Sequence, residues 1–396
     1  MSVFEISHRE PTFHCLFTTF WICFFRSFFG KKRYEILLLE YGIDRPGEMD
    51  FILKVAHPDI GVFTAIDAVH SEQFGSPTEI ANEEIKMALH TKELVFLNQD
   101  DPYAMQLFPR IQIDKLTYQT KGYGKEANIS FTDCDFLIGE KKHEIQSTFS
   151  LHLKGKSYQV TTNLIGKSNY GYIGVALGIV EVLAYQEKKN NKQKEPFLPT
   201  PLHLTYTLQP GRLSIFAGKY ESILFDSTYN ASPQSVRTII DSVITIRSHL
   251  FPKSEIWLIL GDMRELGTLT ETEHRLLAGY VSQTADKIFL LGPSMQTYLA
   301  DELGKVGFDT KKLSLAKDLN TLNTIIEKEL KEAEPAFQKQ SSFPLLVFKG
   351  SQNTIFLEES VKHFLLHPTD EKYLTRQSTF RKKKKQNCWD TTYVLT

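Results

Sequence analysis

Ile60-Gly-Val-Phe-Thr-Ala-Ile66 and Leu94-Val-Phe-Leu-Asn98 flank Pro77–His90. Each run is short, continuously apolar and rich in β-branched or aromatic side chains, the pattern of a strand buried on both faces. Pro77–His90 reads as a helix, and strands alternating with helices imply a parallel α/β sheet. Upstream, Tyr34-Glu-Ile-Leu-Leu-Leu-Glu-Tyr41 reads as another buried strand, closed by the turn signals Gly42 and Pro46-Gly47, and Glu48–Lys54 as a helix. Downstream, from Leu107 to Leu164, short alternating runs (Asn128–Thr132, Ser150–Leu153) around a Lys154-Gly155-Lys156 turn predict antiparallel hairpins. Tyr170–Tyr185 is a helix rich in small residues, and the polar tract Glu187–Glu195, followed by Pro196, Pro199 and Pro201, reads as a linker. Beyond it, strands at Ser222–Asp226, Glu255–Leu260, Lys287–Leu291 and Pro344–Phe348, each followed by a helix, predict a separate doubly wound α/β domain.

The 396 residues suffice for two domains. With 46 basic and 47 acidic side chains, no global field draws in nucleic acid. Cys15, Cys23, Cys134 and Cys388 form no closely spaced pair, which excludes a thiol zinc site or disulfide framework and suits a reducing cytoplasm. Phe13–Phe29 is apolar and aromatic but interrupted by Arg26; it reads as a buried helix, with membrane contact the alternative. Arg381–Lys385 reads as a solvated basic run.

Glu40 ends one expected strand and His70 lies just past the next. In open α/β sheets ligands sit outside the carboxyl ends of strands. An oxygen-plus-nitrogen pair there suits Mg²⁺ or Mn²⁺ mostly coordinated by phosphate and water, although on spacing alone a structural Glu and His are the commoner case.

The surrounding residues resemble the Mur ligase family. Leu39-Glu40-Tyr-Gly42 through Pro46-Gly47-Glu48-Met49 is similar to its "ELG…GEM", His70-Ser-Glu72-Gln-Phe74-Gly75-Ser76 to "HLEGFGS", and Leu97-Asn98-Gln-Asp100-Asp101 to "LNADD". Pro210-Gly211-Arg212, Asp226-Ser-Thr-Tyr229-Asn230-Ala231-Ser-Pro233, Gly261-Asp262-Met263-Arg-Glu265-Leu266-Gly267 with His274, and Lys349-Gly350-Ser351 resemble "PGR", "DSYNANP", "GDMxELG…H" and "KGS". The match is nearest to the branch that adds D-alanyl-D-alanine.

The resemblance implies a central α/β domain, with a mostly parallel sheet and a smaller antiparallel one, incomplete at its N-terminus, over 34–200. An N-terminal apolar helix and joint (1–33) would precede the central domain, and a Rossmann-like C-terminal domain over 201–368 would follow it, ending in a basic tail (369–396). The resemblance also implies an ATP-dependent amide ligase of peptidoglycan precursor synthesis that works through an acyl phosphate. Its partners would be a nucleotide-sugar peptide and an amino acid or dipeptide, and the chain would act as a monomer. Glu40, His70 and Glu84 take the metal positions, with Glu84 standing where the family commonly carries a carbamylated lysine. Asn169, Arg212, Asp226, Tyr229, Asn230 and Pro233 take nucleotide positions; Asp262, Glu265, His274, Lys349 and Ser351 take substrate positions.

The family's "GxHNxxN" appears as Gly166-Lys-Ser168-Asn169-Tyr-Gly-Tyr172, with Tyr172 where an asparagine near adenine is expected. Upstream of Glu40 there is no Gly-rich loop ending Gly-Lys-Thr/Ser, so the chain is expected to begin after the phosphate loop. A non-catalytic binding relative and an amide ligase with another carboxylate substrate are therefore the alternatives.

Overall fold

The computed structural model describes residues 35–66, 71–122, 127–191, 200–351 and 355–376. Phe13–Phe29, His70 and Arg381–Lys385 lie outside the described residues. The chain divides into two compact units, 1–42 and 43–396.

In the first unit the described residues are 35–42, and they correct one expectation. No strand forms over Ile36–Leu39, and all four side chains stand in solvent, Leu38 at 92% exposure. An apolar run becomes a strand only where neighbours close its backbone N–H and C=O groups; among the described residues no ladder does so here.

The second unit holds two sheets. In the first, β1 (Ile60–Phe63), β2 (Leu94–Asn98) and β3 (Asp114–Tyr118) run parallel. β4 (Ile129–Ile138), β5 (Ile145–Leu153) and β6 (Lys156–Thr162) run antiparallel, and β7 (Leu202–Leu204) returns parallel to β6. The antiparallel strands expected as a smaller sheet join the parallel ones through the pair Tyr118↔Ile129, so the order β1 to β7 is one seven-stranded sheet. The β5–β6 turn places Lys154 and Gly155 at φ 48° and 78°, the left-handed pair that a two-residue hairpin turn requires. Among the helices that accompany this sheet are α1 (Glu48–Val55), α2 (Pro77–Leu89) and α3 (Lys167–Asn191). Ser76 caps α2 by accepting the Glu79 amide, with Pro77 in the first turn where its missing N–H costs nothing. α3 runs through Asn191, so the first half of the polar tract expected as linker is helical.

The second sheet comprises β8 (Ser214–Ala217), β9 (Ile223–Ser227), β10 (Glu255–Gly261), β11 (Lys287–Leu291), β12 (Leu313–Ala316) and β13 (Pro344–Lys349) in the order β12-β11-β10-β13-β9-β8. β8 is antiparallel to β9 and the remaining pairs are parallel. Both faces are covered. Ile256, Leu258 and Leu260 face α4 (Pro233–Leu250), which meets them with Val236, Ile239, Ile240, Val243 and Ile246. Trp257 and Ile259 face α5 (Leu319–Gln340) and α6 (Glu358–Phe364). Period two in the strand and three-to-four in the helix thus meet in one core. Phe136, Ile145 and Ile165 of the first sheet region belong to the same core as α4, so the two sheets share one compact unit.

Candidate functional site

Parallel pairing puts the carboxyl ends of β9, β10, β11 and β13 on one edge, where four loops converge. Asp226, near the end of β9, is fully buried; its Oδ1 accepts the Thr228 amide (3.0 Å) and hydroxyl (2.7 Å). Its Oδ2 has no hydrogen-bond partner among the described residues, and burial pushes the carboxyl up to about 6 against the pull of the Thr228 bonds. Lys349, at the end of β13, is also buried and donates to Ser227 Oγ (3.2 Å) and the Asn230 carbonyl (2.6 Å). Ser351 donates to the Ala231 carbonyl (3.1 Å) and accepts the Arg264 amide (3.0 Å). Pro233 is buried at the start of α4, behind the Ser232 cap.

On the β9 side of this edge, Arg212, Tyr229 and Asn230 reach solvent. Tyr229 is 41% exposed, Asn230 is half-buried, and the exposed Arg212 lays its guanidinium 4.4 Å over the Tyr229 ring. Gly211 makes this possible: at φ 70° it accepts the Tyr229 amide (3.1 Å), and a Cβ there would lie 2.4 Å from Thr375 Cγ2. The expected nucleotide residues thus separate into an outer face (Arg212, Tyr229, Asn230) and a buried frame (Asp226, Pro233, with Lys349 and Ser351).

The substrate set divides in the same way. Asp262 follows β10 and turns its carboxylate to the Met295 amide (2.8 Å), and burial raises its pKa. Gly292, at φ 109°, lets that carboxylate approach to within 2.5 Å of where a Cβ would sit. His274 is buried: its Nε2 accepts the Met263 amide (3.2 Å) and its Nδ1 lies 2.7 Å from the Thr270 carbonyl. The first bond requires a bare Nε2, so the ring is the neutral Nδ1–H form, and burial lowers its pKa in keeping. Asp262 and His274 brace the β10 loop. Glu265, held at φ 64°, instead lines an open cleft of about 340 Å³ with Asp44, Arg45, Glu48 and Gln73.

At the carboxyl ends of β1, β2 and β3 a second polar group gathers. Asp101 is buried and accepts the Ile66 amide (2.8 Å) and the Ala104 amide (2.8 Å). Glu84 on α2 faces it; burial and then the Asp101 charge push the Glu84 carboxyl up to about 7. Tyr118 donates to the Phe63 carbonyl (3.0 Å) and lies edge-on to Tyr172, 6.1 Å between centroids. Burial, then the Asp101 charge, raises the Tyr172 pKa. Asn169 turns its amide back to the Ile165 carbonyl (2.7 Å).

Glu84 was expected from sequence and Asp101 was not singled out, although Asp-Pro is a helix-start signal that marks it. Two carboxyl groups, one raised mainly by burial and further by the charge of the other, are donor chemistry that a hard divalent cation fits. Among the described residues no cluster of three or more His, Cys, Asp or Glu is poised around a metal, and no helix is long and apolar enough to cross a membrane. Glu40 is exposed in the first unit. Arg376, also missed, reaches the β9 loop from 148 positions away, where no local pattern announces it.

Comparison with known proteins places these features. The family profile of the Mur ligase middle domain matches residues 25–180, and that of the Mur ligase, glutamate ligase domain matches 211–351. The UDP-N-acetylmuramoyl-tripeptide--D-alanyl-D-alanine ligase of Bacillus subtilis is 24% identical over 338 residues, covering 84% of this chain and 65% of the relative. That of Borreliella burgdorferi is 26% identical over 264 residues, covering 66% and 52%. The chain therefore spans between about half and two thirds of these relatives' length. Among solved structures, MurF from Acinetobacter baumannii superposes with a TM-score of 0.59 at 20% identity, covering 81% of this chain and 63% of that one. MurF ligase from Thermotoga maritima in complex with ADP superposes at 0.56 and 17%, covering 87% and 66%. Two matched domains in family order, carried on the two sheets described above, show that the chain belongs to the Mur ligase family.

Proposed function

We propose that this chain acts as an ATP-dependent acid–amino acid ligase of peptidoglycan precursor synthesis, joining D-alanyl-D-alanine to a UDP-muramoyl peptide in the cytoplasm. The observation that carries the reading is the outer face of Arg212, Tyr229 and Asn230, held by a buried frame at the carboxyl edge of a parallel sheet. Such an edge is where α/β proteins bind nucleotides. The ADP-bound Thermotoga relative and the ligase names of the relatives support it.

In this reading the substrate carboxylate takes the γ-phosphoryl group of ATP and ADP leaves. The amine then attacks the acyl carbon, phosphate leaves with the bond it held, and the amine loses a proton as the amide forms. The chain's own groups work by positioning and electrostatics. Arg212 supplies a planar cation to phosphate or ribose oxygens, and Tyr229 and Asn230 supply ring face and amide to the base. Glu265, Arg45 and Glu48 offer both signs of charge to a zwitterionic amine substrate in the cleft. Glu84 and Asp101, at the carboxyl ends of β1 and β2, would hold Mg²⁺ or Mn²⁺. When bound, such a cation neutralises phosphate charge.

A binding relative that does not turn over ATP is the second reading. The observation favouring it is that Ile36–Leu39 stays in solvent instead of forming the strand that would carry Glu40.

The test is phosphate release from ATP by the purified chain with UDP-N-acetylmuramoyl-tripeptide and D-alanyl-D-alanine, with the new amide read by mass spectrometry. Release that requires both substrates, and ADP affinity weakened roughly 10-fold or more in Arg212→Ala, is the expected result. ADP binding without release selects the second reading. Neither binding nor release overturns both.

A further inference from the structure

After α6 the chain leaves its helix as a strap. Leu365 bridges Gly218, and the Leu366 amide donates to the Ala217 carbonyl (3.0 Å) on edge strand β8. The strap returns through buried Leu374 and Thr375 to Arg376, whose side chain is 7% exposed. One terminal nitrogen of that guanidinium donates to Glu358 Oε2 (2.6 Å) and Thr375 Oγ1 (2.9 Å). The other donates to the carbonyls of Thr228 (3.0 Å) and Tyr229 (2.8 Å). Glu358, the anchor, is wholly buried at the start of α6. Four acceptors from three separate chain segments therefore converge on one fork-shaped donor, a geometry that only a planar guanidinium satisfies.

We infer that Arg376 is a positioning residue for the candidate nucleotide loop Asp226–Pro233. The inference rests on the nucleotide reading given above. The carbonyls that Arg376 holds belong to the residue bonded to Asp226 and to the tyrosine beneath Arg212, so the strap sets where the outer face stands. Tyr229 is gripped from two sides: Arg212 over its ring, Arg376 on its backbone. The buried Arg376–Glu358 pair supplies direction more than net stability, since desolvating two charges offsets most of their attraction.

The experiment uses the whole chain in four forms: unchanged, Arg376→Ala, Arg376→Lys, and Arg376→Ala combined with Glu358→Gln. The last removes the carboxylate that the single change strands in the interior. Two readouts are taken beside the melting temperature: hydrogen exchange of the Thr228–Ala231 amides and ADP affinity by calorimetry. Arg376→Ala should speed loop exchange at least about 10-fold and weaken ADP by a similar factor. Arg376→Lys should rescue neither, because one ammonium does not span the four acceptors. The double variant should regain melting temperature but not loop protection. Unchanged loop exchange in Arg376→Ala, or full loop protection in the double variant, would overturn the inference. If the unchanged chain binds no ADP, the nucleotide reading fails, while loop exchange still decides what Arg376 does.

Discussion

His274 illustrates what a single residue contributes. The family resemblance gave it a substrate position, and its two nitrogens are occupied by the chain itself. Truncation to alanine strands the Met263 amide in the interior, a loss of about 1–3 kcal/mol before the cavity is counted. A pH dependence follows from the lowered pKa. The folded protein binds the proton less well than the unfolded chain, so the stabilisation is fully present above the ordinary value near about 6.5. It is lost as pH falls through that value toward the folded one. Urea denaturation of the protein and of His274→Ala between pH 8 and 5 should give curves whose separation narrows as pH falls. A separation that stays constant would refute the assignment. Glu84 was legible as an acidic residue on α2, but its proximity to Asp101 was not, because the partner comes from a different loop. The resemblance gave Lys349 a substrate position; its ammonium is turned into the β9 loop, a direction set by tertiary packing.

At the scale of elements, those buried on both faces were the legible ones. Leu94–Asn98 and Lys287–Leu291 stand where the apolar runs put them, because a run sandwiched between helix layers needs no alternation. β3, β8 and β12 were not anticipated: each is four or five residues long with partly exposed positions, so its signal is that of a loop. The run through Ile36–Leu39 failed in the opposite sense, with full apolar content and no ladder. The Pro210–Arg212 turn supplies a prediction at this scale. Gly211→Ala forces a side chain into a left-handed backbone and against Thr375 and the Tyr229 amide. The conformational cost of about 1–2 kcal/mol adds to an overpacking cost of about 1–3 kcal/mol. Thermal denaturation should show a clear loss of stability, and a melting temperature matching the unchanged protein would show that the turn is looser than described.

For the whole molecule, the two-domain reading from sequence meets a shared core. Phe136, Ile145 and Ile165 pack with Ile239 and Val243 of α4 in one cluster. Calorimetry should therefore register one unfolding transition for residues 43–396, and Phe136→Ala should lower its midpoint, at a cost of about 3–5 kcal/mol for a buried phenylalanine. Two well-separated transitions in the unchanged protein would mean that the sheets unfold independently. By itself the sequence determined the α/β class, the buried strands and the family, because periodicity and ordered motifs are local properties of a chain. Which motif residues face outward and which are built into the frame came from packing. It also put Glu84 within reach of the Asp101 charge and closed Arg376 on the β9 loop. Those outcomes depend on distances between segments far apart in the chain, which are set when the sheets and their helices pack.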